Sequence, residues 1–311
     1  MEEPMLVSQE VISIIGAIGL VALAISWHRR SSSPVRLSQV GWVFVGLYFF
    51  NDASVYLAHD DLILTLFSVM ALPMAVGMAI WEGRAEDERT LASLTWARGA
   101  VAYAGGPYLL IAHVPWLSVL AIWFVAAQAA VFLRFSGGDH IEMGETWVNT
   151  AQGQVTWEEF DGNRWFMGSS TEEYMFQTEL LLADGGASIG INFVLACTAL
   201  QSMVIFIGAI AVLDIDWRRR CRVLFLTVPL IHVLNLFRNA GLIWLHSTYV
   251  DWTLLGMSVF EFGHSYVARF VSLFAMFLMA LIMFDLLPEL HRHIVRLLKP
   301  FGLLQPKRRE L

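Results

Sequence analysis

The sequence predicts an all-α polytopic membrane protein of about eight transmembrane helices, with a small extracytoplasmic cap between helices 5 and 6. Composition carries the first half of that reading. Of 311 residues, 57% are hydrophobic and 15% charged, with a mean hydropathy of +0.60, whereas soluble domains run at about 45–50% and 25%. Periodic spacing carries the second half, because apolar runs of spanning length, about 20 residues each, are separated by short polar stretches. A net charge of −7 excludes nucleic acid as a partner, since phosphate binding needs clustered Lys and Arg. Two cysteines, Cys197 and Cys221, make no disulfide framework and have no CxxC spacing.

The runs fall near 9–27, 39–58, 62–81, 98–113 and 116–133, then 187–213, 222–246 and 254–287. The first has an acidic leader (Glu2, Glu3) and no small-residue cleavage motif, so it is expected to be a retained helix. Four units follow: helices 1–5 over 1–133, a cap over 134–186, helices 6–8 over 187–288 and a basic tail over 289–311. Arg218, Arg219, Arg220 and Arg222, and later Arg292, Arg296, Lys299, Lys307, Arg308 and Arg309, are cytoplasmic by the positive-inside rule. The C-terminus is then cytoplasmic, and the segment 135–186, with ten acidic residues and a single Arg164, lies outside. Eight crossings put Arg29, Arg30 and Arg36 outside, against the rule. The alternative is that 98–133, interrupted by Gly105-Gly106-Pro107 and Val114-Pro115, crosses once and leaves the N-terminus outside. Eight crossings is the preferred count.

Within the cap, Thr156–Phe160 and Arg164–Met167 flank Asp161-Gly162, the residue pair of a tight hairpin. Ser170-Thr171-Glu172-Glu173 has the form of a capping box and predicts a short amphipathic helix through about Leu182.

Ionisable groups inside spans are costly and mark function. Counting about 20 residues outward from each cytoplasmic end places Cys197, Arg238 and Arg269 near the outer edge of spans six, seven and eight, with His264 a turn beyond. Neighbours form polar stripes: Gln201 after Cys197, His232, Asn235 and Asn239 around Arg238, and Glu261 and Ser265 before Arg269. A thiolate is a nucleophile, and adjacent Arg or protonated His favours it over the thiol. Arg keeps its charge in apolar surroundings, and His can move a proton near neutral pH. Each residue also has a structural explanation: a small packing cysteine, or an arginine snorkelling to the headgroups. No HExxH or comparable metal set occurs, and no cofactor or metal is expected.

The segments Ala196-Cys197-Thr198-Ala199-Leu200-Gln201-Ser202, Asn235-Leu236-Phe237-Arg238-Asn239 and Phe262-Gly263-His264-Ser265-Tyr266-Val267-Ala268-Arg269 resemble the motifs of the exosortase and archaeosortase family, nearest to its archaeal branch. They cover the last three spans, about a third of the chain. The resemblance implies a membrane-embedded cysteine transpeptidase of the cell membrane with its site facing outward. It would cleave a C-terminal sorting signal (in the archaeal branch a Pro-Gly-Phe motif, a transmembrane helix and a basic tail) from exported proteins such as the S-layer glycoprotein, and pass them to a membrane lipid. It also implies that Cys197 forms the acyl-thioester and Arg238 is the family's proton-donor arginine. The third catalytic group is His264 or Arg269, with Arg269 preferred as transition-state stabiliser. Gln201, Asn235 and Asn239 are taken as substrate-binding. Ala268 stands where the bacterial branch has Gly. A transporter or channel built on the same polar residues is the alternative.

Overall fold

Helix ends in this chain are set by identifiable residues. The computed structural model describes residues 9–29, 35–58, 62–135, 141–150, 152–165, 175–182, 187–249, 251–254 and 256–301. The first half holds α1 (Gln9–His28), α2 (Val35–Asn51), α3 (Ala53–Ala58), α4 (Leu62–Arg84), α5 (Glu88–His113) and α6 (Pro115–Phe135). Asp87 caps α5 by accepting from the Thr90 N–H at 2.9 Å. Proline at the start of α6 needs no N–H partner, so one residue, Val114, suffices to separate the two helices. The second half holds α7 (Leu200–Ala211), α8 (Trp217–Thr248), α9 (Val259–Phe262), α10 (Ala268–Leu286) and α11 (Pro288–Leu298). Among the described residues, five stretches are long and apolar enough to cross a membrane: Val11–His28, Leu62–Arg84, Pro115–Phe135, Trp217–Thr248 and Val259–Leu286.

Side-chain contacts fix which helix ends lie together. His113 at the end of α5 meets Ser13 at the start of α1, 3.0 Å away, while Arg98 near the start of α5 bonds Ser26 near the end of α1. The two helices are therefore antiparallel. Gln39 of α2 donates to the Ala79 carbonyl of α4 at 2.9 Å, and Glu82 of α4 pairs with Arg98 at 3.2 Å, both nearly buried. α7 runs down α5, with Gln201 beside Tyr108 and Ala209 beside Trp96. A Cβ on Gly208 would run into the Ala100 carbonyl oxygen, so this helix pair needs glycine there. At the lower end His293 of α11 stacks on Trp96, ring centres 5.4 Å apart, and Arg219 of α8 pairs with Glu289 at 3.3 Å.

These contacts gather Arg29, Arg36, Arg84, Arg89, Arg218–Arg220, Arg222, Arg292, Arg296 and Lys299 at one end of the bundle. α6 does not return to that end. Its first residues take the Arg164 carbonyl (Trp116 N–H, 3.1 Å), its middle bonds Thr146 (Trp123 Nε1, 2.6 Å), and its last turn reaches the Ile141 carbonyl (Arg134, 3.2 Å). The packing puts Arg29 and Arg36 at the same end as Arg218–Arg220, whereas the preferred eight-crossing path sends them to the opposite end.

The cap also differs from expectation, and the chain is not all-α. β1 (Ile141–Thr150), β2 (Gly153–Thr156), β3 (Phe176–Leu182) and β4 (Ser188–Phe193) form an antiparallel sheet in the order β2-β1-β3-β4; β5 (Thr253–Leu254) and β6 (Met257–Ser258) form a separate two-stranded ribbon. The residues expected to end an amphipathic helix are β3, where Phe176, Thr178 and Leu180 are buried and their neighbours less so. That period of two is a strand's. The capping-box residues Ser170–Glu173 lie outside the described residues. Among the described residues, 157–165 form no strand beside Asp161-Gly162, and Phe166 and Met167 lie outside them; Arg164 gathers the carbonyls of Trp157, Glu158 and Phe160 at 2.8, 3.0 and 3.0 Å and lies over the Trp157 ring at 5.0 Å. This wraps the chain into a loop; the hairpin is instead β1–β2. The sheet's inner face, including Ile141, Val148, Phe176, Leu180 and Phe193, packs with α6 residues Ile122, Val125 and Ala129 and with Ala240 and Ile243 of α8.

Span six is likewise not a helix from 187. β4 occupies its first part, a 3-10 turn (Leu195–Thr198) follows, and the helix proper begins at Leu200. β4 pairs with β3 and so completes the cap's sheet.

Candidate active site

Cys197 sits in the 3-10 turn between the sheet and α7, half-buried beside the core that joins α6, α8 and the cap. The turn ends at Ala199 with φ +54°, the left-handed region that alanine seldom adopts. Because the chain reverses there, the Leu200 N–H goes to Thr198 Oγ1 at 3.3 Å. The Cys197 carbonyl instead accepts from two side chains of α8: Asn235 Nδ2 at 2.7 Å and Asn239 Nδ2 at 2.9 Å.

Asn235, Arg238 and Asn239 occupy one face of α8, as the i, i+3, i+4 spacing requires. The amides hold the Cys197 backbone, and Arg238 stands within electrostatic reach of both Cys197 and Arg269. Arg238 Nε is buried and has no hydrogen-bond partner among the described residues. Leaving such a donor unmet costs about 1–3 kcal/mol, more for a charged group.

His264 comes from a third segment, a π turn (Gly263–Val267) between α9 and α10. It lies within electrostatic reach of Arg238 and Arg269. Its ring stacks on Phe260, centres 5.8 Å apart. Phe260 in turn meets His246 edge-on at 5.1 Å, and His246 Nε2 is 2.8 Å from the Ile189 carbonyl of β4. The cap sheet thus buttresses the histidine through two rings.

Arg238 is within electrostatic reach of Cys197, His264 and Arg269. The other sequence candidates are not all pointed at one cleft. Gln201 is exposed and donates to the Tyr108 hydroxyl of α5 at 3.0 Å. His232 faces α6, 2.9 Å from Gln128 Oε1 and stacked on Phe124. Glu261 closes a capping box with Ser258. Phe260, His246 and Tyr108 had no local sequence signal, since each matters only through a neighbour remote in the chain. Cys221 lies in α8 among the arginines of the basic end. No group of three or more metal-binding side chains occurs among the described residues.

A cysteine within electrostatic reach of an arginine can support thiolate chemistry: attack on a carbonyl, with fixed positive charge where the oxyanion develops. No protein-family model matches the chain, and no solved structure does. Over 222 residues, 70% of this chain and 65% of that protein's length, it is 28% identical to archaeosortase A of Haloferax volcanii. The chain thus resembles the exosortase and archaeosortase family in sequence as well as in its three motifs.

Proposed function

We propose that this protein is a membrane-embedded cysteine transpeptidase of the archaeosortase type. The observation that carries the reading is the convergence of Cys197, Arg238, His264 and Arg269 from three separate segments. The likeness to archaeosortase A supports it. The basic end of the bundle is cytoplasmic, and α1, α2, α4, α5, α7, α8 and α10 make seven crossings, with the N-terminus, cap and site outside. α7 is short for a crossing, so the Cys197 turn lies below the membrane surface, where a substrate's helix leaves the bilayer.

In the reaction, Cys197 gives its proton to His264 and the thiolate attacks the carbonyl carbon at the sorting motif, Pro-Gly-Phe by analogy. Arg238, with Arg269, holds the thiolate and then the oxyanion by charge and hydrogen bonding. The C–N bond breaks, the leaving amine takes a proton from His264, and an acyl-thioester remains on Cys197. A nucleophilic group of a membrane lipid gives its proton to His264 as it attacks that thioester and the thiolate departs, leaving the exported protein, such as an S-layer glycoprotein, lipid-anchored and the enzyme as it began. A transporter or channel is not favoured, because these charges gather beside one nucleophile at one level.

The test uses a reporter ending in Pro-Gly-Phe, an apolar helix and a basic tail. Cys197→Ala and Cys197→Ser should leave it unprocessed at normal enzyme abundance, while Cys221→Ala should process it fully. Maturation by Cys197→Ser would return the molecule to the transporter reading.

A further inference from the structure

We infer that Asn235 and Asn239 form a two-amide clamp on the Cys197 carbonyl that sets where the thiol stands against Arg238, so that they are positioning residues and not substrate ligands. Its catalytic meaning rests on the transpeptidase reading above; its geometry does not. A carbonyl oxygen offers two lone pairs, and here two Nδ2 donors at 2.7 and 2.9 Å take them. Both asparagines are buried, 6% and 5% exposed, which leaves little of either side chain open to an incoming peptide.

The need for a clamp follows from the backbone. In a continuous helix the Cys197 carbonyl would be met from within the chain. The left-handed Ala199 breaks that continuity, the Leu200 N–H goes to Thr198 Oγ1, and the next helical bond runs from Met203 N–H to the Ala199 carbonyl. The two α8 amides meet the Cys197 carbonyl at this break. Because Arg238 lies on α8 between the two amides, one helix face grips the nucleophile's backbone and presents the charge to its side chain. Backbone and guanidinium are held in one register by a single rigid element.

The test uses full-length enzyme in membranes, on a Cys221→Ala background so that Cys197 is the sole thiol, with Asn235→Ala, Asn239→Ala and the double variant. Alkylation by iodoacetamide needs no substrate. At pH 7 the double variant should react roughly tenfold more slowly than its parent because its thiol has left Arg238, and the rates should converge near pH 10, where an ordinary thiol is ionised. With the reporter, the turnover rate should fall on the order of 10²-fold, the cost of about 1 Å of misplacement, with reporter KM unchanged. If the double variant does not accumulate, Asn239→Ala, which keeps the shorter bond, is read instead, with a smaller loss of the same pattern. Unchanged alkylation, or a raised KM at normal turnover, would overturn the clamp. Altered alkylation in a protein that processes the reporter without Cys197 would overturn the transpeptidase reading and leave the clamp standing.

Discussion

His264 and Arg269 are five residues apart, and the backbone between them closes a π turn in which the Ala268 N–H bonds the Gly263 carbonyl. On a regular α-helix five residues is a rotation of about 140°, which separates two side chains. In a π turn residues i and i+5 are joined across one turn, and the two groups come within electrostatic reach. Inserting one alanine after Ser265 makes the separation six residues, a rotation of about 240° on a regular helix, and should turn His264 away from Arg269. Processing of the reporter is expected to be lost while insertion and abundance persist; full activity would show that the turn does not set the site.

Arg238 is expected to require its planar fork as well as its charge. Lysine keeps the charge but not the fixed donors, and losing one oxyanion donor costs about 10²–10³ in rate. Arg238→Ala should be nearly inactive and Arg238→Lys severely slowed, read as unprocessed reporter at equal abundance. Normal maturation by Arg238→Lys would reduce Arg238 to a snorkelling charge and move the chemistry to His264 and Arg269.

The helix packing makes a topological distinction. In sealed cells a thiol reagent that cannot cross membranes should label Gly162→Cys but neither Cys221 nor Arg29→Cys. Eight crossings would expose position 29 outside, so labelling there would refute the antiparallel reading of α1 and α5 in the membrane.

His293 links the basic end to pH. Burial, with Arg296 and Arg292 alongside, holds its imidazole below the ordinary value, and it bonds Ser93 at 3.0 Å. A histidine kept neutral when folded protonates more readily unfolded, so the unfolded state binds more protons as pH falls. Its stabilising contribution should be whole above about pH 6.5 and decline below it. Thermal unfolding in detergent from pH 7.5 to 5 should show a falling midpoint, and the fall should be smaller in His293→Gln. An identical pH dependence in that variant would assign the effect elsewhere.

Run length and composition sufficed to name the class of molecule, because membrane helices are demanded wherever backbone groups must be satisfied without water. Cys197, Arg238, His264 and Arg269 could be named as candidates because ionisable groups are rare at such depth. How they are held, and by what, came from contacts between segments remote in the chain. The strands β3 and β4 were read as helix or span because Phe176–Leu182 and Ser188–Phe193 are short apolar runs, whose period is ambiguous until a partner strand supplies the ladder. Asn235 and Asn239 show in the sequence as a polar stripe, but not the Cys197 carbonyl that both amides bond. Ala199 turns left-handed two residues after that cysteine, and no residue type announces an alanine in that conformation.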